Sequence, residues 1–359
     1  MALAVTLLGC ATTRSLECAA HGGVEWLEVR TDTFRVKTNL STTDAQSLAL
    51  DLERALGVIR WTLGDDEPLE PIEVVAVDRG QLAHFGVSRK SAWPAGHPLL
   101  LERTPDPRSG HQLPTRAIFL LADHVLEQHY PLAPWWLSRG LAQYVEGMSF
   151  SGTATAALPM GDRSSELALL GDNPPALEQL LDWGPGRKHS GNARVWWAGS
   201  WLLVNHLYTH ERDRVLSMLA AARKGEPVSG VEGIQLGSLA RGDDFKVLIL
   251  KFLSPGAIAS IRPAPPVDVH LARGSLWFAG GAADVVERKH GARDELQRLI
   301  ALGGLNEPEG ALAAVRHALL GVRELAERFP DDPRVRRHVA LLQPIGRSSS
   351  AARLREALD

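Results

Sequence analysis

The sequence predicts an α+β domain followed by an all-helical C-terminal domain. Three observations carry this prediction. Extended, β-branched segments fall early in the chain, at Trp26 to Leu40 and Ile72 to Val77. Apolar residues then recur at helical spacing from Arg116 onward. After the proline-rich stretch Pro255 to Pro266, helical segments alternate with turns to the end of the chain. With 359 residues, 45% of them hydrophobic, the chain can bury a sizeable core, and it is expected to form two domains. The expected boundaries are 1–23 for a signal and linker, 24–255 for the α+β domain and 267–359 for the helical one.

The first ten residues, MALAVTLLGC, end in Leu7-Leu8-Gly9-Cys10, which resembles a bacterial lipobox. That resemblance implies lipid attachment at Cys10, membrane association through the lipid alone, and a place in the bacterial cell envelope facing the periplasm. Ala11 lacks the aspartate that resembles an inner-membrane retention signal. Besides Cys10 the only cysteine is Cys18, so no disulfide framework holds the fold. The balance of 39 basic against 42 acidic side chains, with no long run of either sign, sets nucleic-acid partners aside.

Leu27, Val29, Phe34 and Val36 predict two short strands around the turn Thr31-Asp32-Thr33. Ser41-Thr42-Thr43-Asp44 supplies helix-capping chemistry, and Leu48, Leu52, Leu56 and Ile59 follow on one face. Ile72 to Val77 reads as a buried strand, and Leu99 to Leu101 and Ala117 to Leu121 as further extended or early helical pieces. Ile118, Leu121, Val125 and Leu126 predict a helix that breaks at Pro131, and a second helix runs from Trp135 or Trp136 to Gly147. The glycine- and proline-rich interval Ser149 to Gly191 reads as a cleft-lining loop with a short helix at Ala176 to Leu181. Helices are then expected at Val195 to Tyr208, Arg212 to Ala222 and Asp243 to Leu253, with Pro255 to Pro266 as a linker. Beyond it, helical stretches at Ala282 to His290, Arg293 to Ala301, Glu309 to Arg328 and Pro333 to Leu342 resemble tetratricopeptide-like pairs, without a clean 34-residue period.

The segment Pro134-Trp135-Trp136-Leu137-Ser138-Arg139-Gly140-Leu141-Ala142-Gln143-Tyr144 is similar to the second active-site helix of the peptidase MA-like family of bacterial zinc metallopeptidases, whose pattern is approximately P-x-W-[LY]-x-E-G-[LF]-A-E-[YF]. These peptidases are gluzincins with a thermolysin-like fold. They place two histidines one helical turn apart in His-Glu-x-x-His, so that both imidazoles reach one zinc ion, with the glutamate as general base and a further glutamate from the next helix. The gap-free placement puts Phe119-Leu120-Leu121-Ala122-Asp123 on that motif. Phe119 then stands for the first histidine, Leu120 for the general base, Asp123 for the second histidine and Arg139 for the zinc-binding glutamate. The resemblance extends over about Trp26 to Leu253, including Val195 to Leu203 as a later Y-x-x-[SA]-W helix.

All four functional positions are therefore changed. Phe119 and Leu120 have no lone pair for zinc, and the permanent cation of Arg139 repels a divalent ion. An Asp123 to Arg139 ion pair is the natural substitute for the metal as a tie between the two helices. The resemblance thus implies a degenerate member without catalytic residues or cofactor, zinc belonging to its active relatives. The implied role is binding a peptide or protein in the former substrate cleft, with Trp136, Tyr144 and Trp197 as candidate lining. Two alternatives stand beside it. One is an active peptidase with a relocated metal set, Asp123, His124 and Glu127 or His206 and His210. The other is a helical-repeat scaffold. His129, five residues from His124, falls on a different face and reads as a surface side chain. All six tryptophans Trp135, Trp136, Trp183, Trp196, Trp197 and Trp201 could line such a cleft, but at helical spacing they read as core by default.

Overall fold

The computed structural model describes residues 23–84, 87, 98–103, 113–147, 149–151, 155–158, 164–171, 174–184, 193–231, 234–241, 248–251, 260–269, 271–273, 275–276 and 329–336. The architecture is mixed α+β. It divides into two compact units, one of Met1–Ala49, Pro71–Thr104 and Ala257–Asp359, the other of Leu50–Glu70 and Pro105–Gly256.

The first unit is built on a five-stranded sheet. Strands β1 (Leu27–Arg30) and β2 (Phe34–Thr38) form the expected hairpin, and Thr31 Oγ1 accepts the N–H of Phe34 at 2.9 Å within the turn. Phe34, Val36 and Thr38 are buried while Arg35 is exposed, the alternation a pleated strand imposes. Helix α1 (Thr42–Leu63) follows, with Ser41 Oγ accepting the N–H of Asp44 at 3.2 Å as its cap. The chain returns as β3 (Ile72–Val77), parallel to β2, and after the short helix α2 (Gln81–His84) as β4 (Leu99–Glu102), parallel to β3. Helical crossovers make parallel pairing possible, and the almost fully buried β3 and β4 are apolar apart from Glu73 and Glu102.

The far edge of this sheet corrects a sequence expectation. Within Pro255 to Pro266, read as a linker, Ser260–Pro263 is strand β8 and pairs antiparallel with β1. Glu28, 1% exposed, fastens it by accepting hydrogen bonds from Arg30 Nε at 2.7 Å and Arg262 Nε at 2.8 Å. Burial alone would raise the Glu28 carboxyl, but the two arginines outweigh it and hold the acid below its usual range. Val269, Ala272 and Leu276 then join Trp26, Val75, Val77, Leu82, Val87 and Leu100 in one core. These residues after position 267 therefore complete the sheet unit. Val335 packs on Leu271 beside Val267 and Phe329, and Arg334 pairs with Asp268. Cys10 and the helices expected at 282–290, 293–301 and 309–328 lie outside the described residues, as does 337–342.

The second unit is mainly helical. It contains the later turns of α1, then α3 (Thr115–His129), α4 (Trp135–Glu146), α5 (Ser164–Leu170), α6 (Leu177–Leu181), α7 (Ala193–His210), α8 (Arg212–Lys224) and α9 (Leu236–Arg241). Ala117 to Leu121, which admitted an extended reading, is helical. The interval read as a loop also holds β5 (Ser149–Ser151) and β6 (Thr155–Leu158). A second correction concerns Asp243 to Leu253, expected as a helix: Leu248–Lys251 is strand β7, paired with β6. A short apolar run does not by periodicity distinguish helix from strand, and here the partner strand decides. Among the described residues no helix is long and apolar enough to cross a membrane.

Candidate functional site

The positions that carry the family resemblance meet where α3, α4 and α7 pack. Proline sets the start of both α3 and α4: Pro114 and Pro134 hold extended backbone at the N-caps, and Pro134 O accepts the N–H groups of Leu137 and Ser138 at 2.9 and 3.0 Å. The loop between them is fixed at Tyr130, whose N–H bonds Leu126 O at 2.8 Å. Helical phase then puts Phe119 and Asp123, four residues apart, on one face of α3.

Asp123 forms an ion pair with Arg139 across the two helices, with only 16% and 12% of the side chains exposed. This is the arrangement anticipated as a substitute for a metal. The Arg139 guanidinium also lies over the Trp135 ring at 4.1 Å, so a carboxylate and an aromatic face hold it together. Phe119 is 1% exposed and stacks on Trp197, ring centroids 5.8 Å apart and 11° from parallel. The Arg116 guanidinium covers the Phe119 ring at 3.9 Å and lies 5.7 Å from Trp197. Trp135 meets Trp183 edge to face at 6.1 Å. Leu120 is half-buried.

These residues do not fit zinc. The one carboxylate at the four pattern positions, Asp123, is already neutralised and stands among two guanidinium groups and aromatic faces, where a divalent cation would need anionic or neutral lone pairs. What the arrangement can do is hold a planar anion. Burial drives the Arg116 cation down from its usual range, partly offset by the fields of Glu146 and Asp123. Yet Arg116 forms no ion pair with a described residue.

The candidate cleft residues are corrected in part. Trp136 is 2% and Tyr144 8% exposed; Tyr144 packs on Tyr208 with ring centroids 4.8 Å apart, and burial pushes its phenol strongly up. Both belong to the interior because α4 turns that face toward its helical neighbours. Trp197 alone keeps a half-buried position beside the arginines. Trp196 and Trp201 are core, as expected.

His206 and His210 stand one turn apart with ring centroids 4.9 Å apart; burial first, and then His210, lowers the His206 pKa. Among the described residues no three His, Cys, Asp or Glu side chains converge. His129, read as a surface residue, instead pairs through Nδ1 with the fully buried carboxylate of Asp65. Arg223 reaches the same carboxylate at 3.1 Å, the Glu67 N–H donates to it at 3.0 Å, and Arg223 also donates to Tyr130 Oη at 2.9 Å. Burial raises the Tyr130 phenol to about 12. Sequence gave no sign of this cluster, whose members are 64 residues apart in the case of Asp65 and His129. Arg116 was legible in principle, three residues before Phe119 and so on the same helical face.

No protein-family model matches the sequence, and no curated protein matches it.

Proposed function

We propose that this chain is a non-catalytic relative of the peptidase MA-like metallopeptidases, a gluzincin-like α+β domain of the bacterial cell envelope that binds a peptide or protein segment. The observation that carries the reading is the Asp123–Arg139 ion pair, because it joins α3 and α4 at two positions where the family pattern has metal ligands. Two further features support it. The order of strands, helix, strands and two proline-started helices follows the order the resemblance implies. Gly140, which the family pattern has beside the ligand glutamate, packs against α7, where a Cβ would meet the Ser200 carbonyl oxygen at 2.6 Å. A lipid on Cys10 would hold the protein at a membrane surface.

The test is metal content. After dialysis the natural protein is expected to be free of zinc, while the reversion Phe119→His, Leu120→Glu, Asp123→His, Arg139→Glu takes up about one zinc per chain. Stoichiometric zinc in the natural protein, or a correctly folded reversion that takes up none, refutes the reading. Metabolic labelling with an alkyne fatty acid, compared between the full chain and Cys10→Ala, tests the anchor.

A further inference from the structure

We propose that Arg116, stacked on the buried Phe119 ring, is the anchor for a carboxylate of the bound ligand, with the half-buried Trp197 as the wall against which that ligand lies. The inference rests on the peptide-binding reading above and gives it a chemical class. It starts from an anomaly of charge. Two guanidinium groups, Arg116 and Arg139, face the Phe119 ring at 3.9 and 6.0 Å. Arg139 has Asp123 as its counterion. Among the described residues Arg116 has no ion pair, although it is only partly exposed; Glu146 and Asp123 act on it only from beyond ion-pair distance. Partly buried arginines are ordinarily paired, because a desolvated cation without an anion is costly.

The way Arg116 is held indicates what completes it. A guanidinium is planar, with its N–H groups directed outward in its own plane. Phe119 takes one face, at a distance typical of a cation over a ring, and Trp197, nearly parallel to Phe119, extends the aromatic surface. Stacking fixes the plane while leaving the N–H edge for an acceptor. That edge matches the two oxygens of a carboxylate, which an arginine binds through two parallel hydrogen bonds. The orientation is set beforehand by the stack, so little side-chain freedom is lost on binding. An apolar or aromatic side chain next to the ligand's carboxylate would meet Trp197, which is half-buried rather than sealed. A free C-terminal carboxylate following an apolar residue and an acidic side chain are the two sources of this group.

The experiment titrates the full chain with three small probes: N-acetyl-phenylalanine, its C-terminal amide, and N-acetyl-aspartate amide, with inorganic phosphate in a parallel arm. Binding is followed by tryptophan fluorescence and calorimetry. At least one carboxylate probe is expected to bind saturably and the C-terminal amide to bind at least tenfold more weakly. A hydrogen-bonded charge pair contributes about ten- to hundredfold in affinity, so Arg116→Met should lose about that much. Arg116→Lys keeps the charge without the planar fork and serves if the methionine variant does not fold; it should lose about tenfold. The equivalent change at Arg139, which is already paired with Asp123, is expected to leave the preference for acid over amide in place. Preferential binding of N-acetyl-phenylalanine assigns the site to a chain terminus, and of N-acetyl-aspartate amide to an acidic side chain. Equal affinity for acid and amide, unchanged affinity in folded Arg116 variants, or binding of phosphate alone overturns the carboxylate anchor. If peptide arrays still show specific binding in that event, the peptide-binding reading survives and only the anchor fails.

Discussion

Replacing Gly140 with alanine sets two effects of opposite sign against each other. A Cβ built at Gly140 would lie 2.6 Å from the Ser200 carbonyl oxygen and 2.6 Å from Val204 Cγ2, where ordinary contact begins near 3.4 Å. The methyl group therefore has to open about 0.8 Å between α4 and α7, the difference of those two distances. The carbonyl belongs to helix backbone, and Ser200 Oγ donates to Trp196 O at 2.9 Å one turn away, so the obstacle is not a flexible side-chain end. Overpacking of this kind costs roughly 1–3 kcal/mol, and a backbone obstacle puts it near the upper end. Helix propensity acts the other way, favouring alanine over glycine by about 1 kcal/mol. The net expectation is a loss of about 2 kcal/mol. In a cooperative unit of this size that corresponds to a fall of roughly 4–8 °C in the thermal midpoint. Calorimetry and urea unfolding of the two proteins measure it. Adding Val204→Ala to Gly140→Ala should restore part of the loss, since it removes one of the two close contacts. An unchanged or raised midpoint for Gly140→Ala would mean that propensity prevails and the helices are not held at this separation.

Three further outcomes follow from the charges. Asp123→Leu and Arg139→Leu should each destabilise by a few kcal/mol, because each strands a poorly hydrated charge, while the double variant should cost less than their sum by about 1–2 kcal/mol; additive losses in urea unfolding would show that the pair is not coupled. Asp65→Asn should cost about 2–4 kcal/mol near neutral pH, as it leaves His129 and Arg223 without their shared carboxylate. The same variant gives the pH dependence a definite sign. Burial pushes the Asp65 acid up, but the hydrogen bonds from His129, the Glu67 backbone and Arg223 prevail and lower it from 3.8. A depressed native pKa contributes stability fully above the unfolded value and loses it as pH falls through the native one. The stability gap between natural protein and Asp65→Asn should thus shrink as pH falls below about 3.8; a gap that widens there on acidification contradicts the assignment.

Much of the local structure was written in the sequence. Strand alternation at Phe34 to Thr38, the Ser41 cap, and the prolines before Thr115 and Trp135 act through neighbours a few residues away, so the pattern alone determined those elements. That Phe119, Leu120 and Arg139 offer zinc no donor was legible too, since it depends on side-chain chemistry. The Asp123–Arg139 pair was legible because helical spacing places both residues on facing sides of a short helical hairpin. What only the tertiary structure decided involves contacts between distant segments. Ser260–Pro263 has no alternating apolar pattern of its own and becomes a strand because β1 has a free edge and Glu28 awaits Arg262, 234 residues away. Leu248–Lys251 is a strand because β6 pairs with it. The Asp65 cluster and the stacked Arg116, which has no ion pair among the described residues, arise from packing that brings the segment after α1 together with α3 and α8, and α3 together with α7. Backbone edges and buried charges are satisfied by whatever the fold delivers to them, and local sequence does not name that partner.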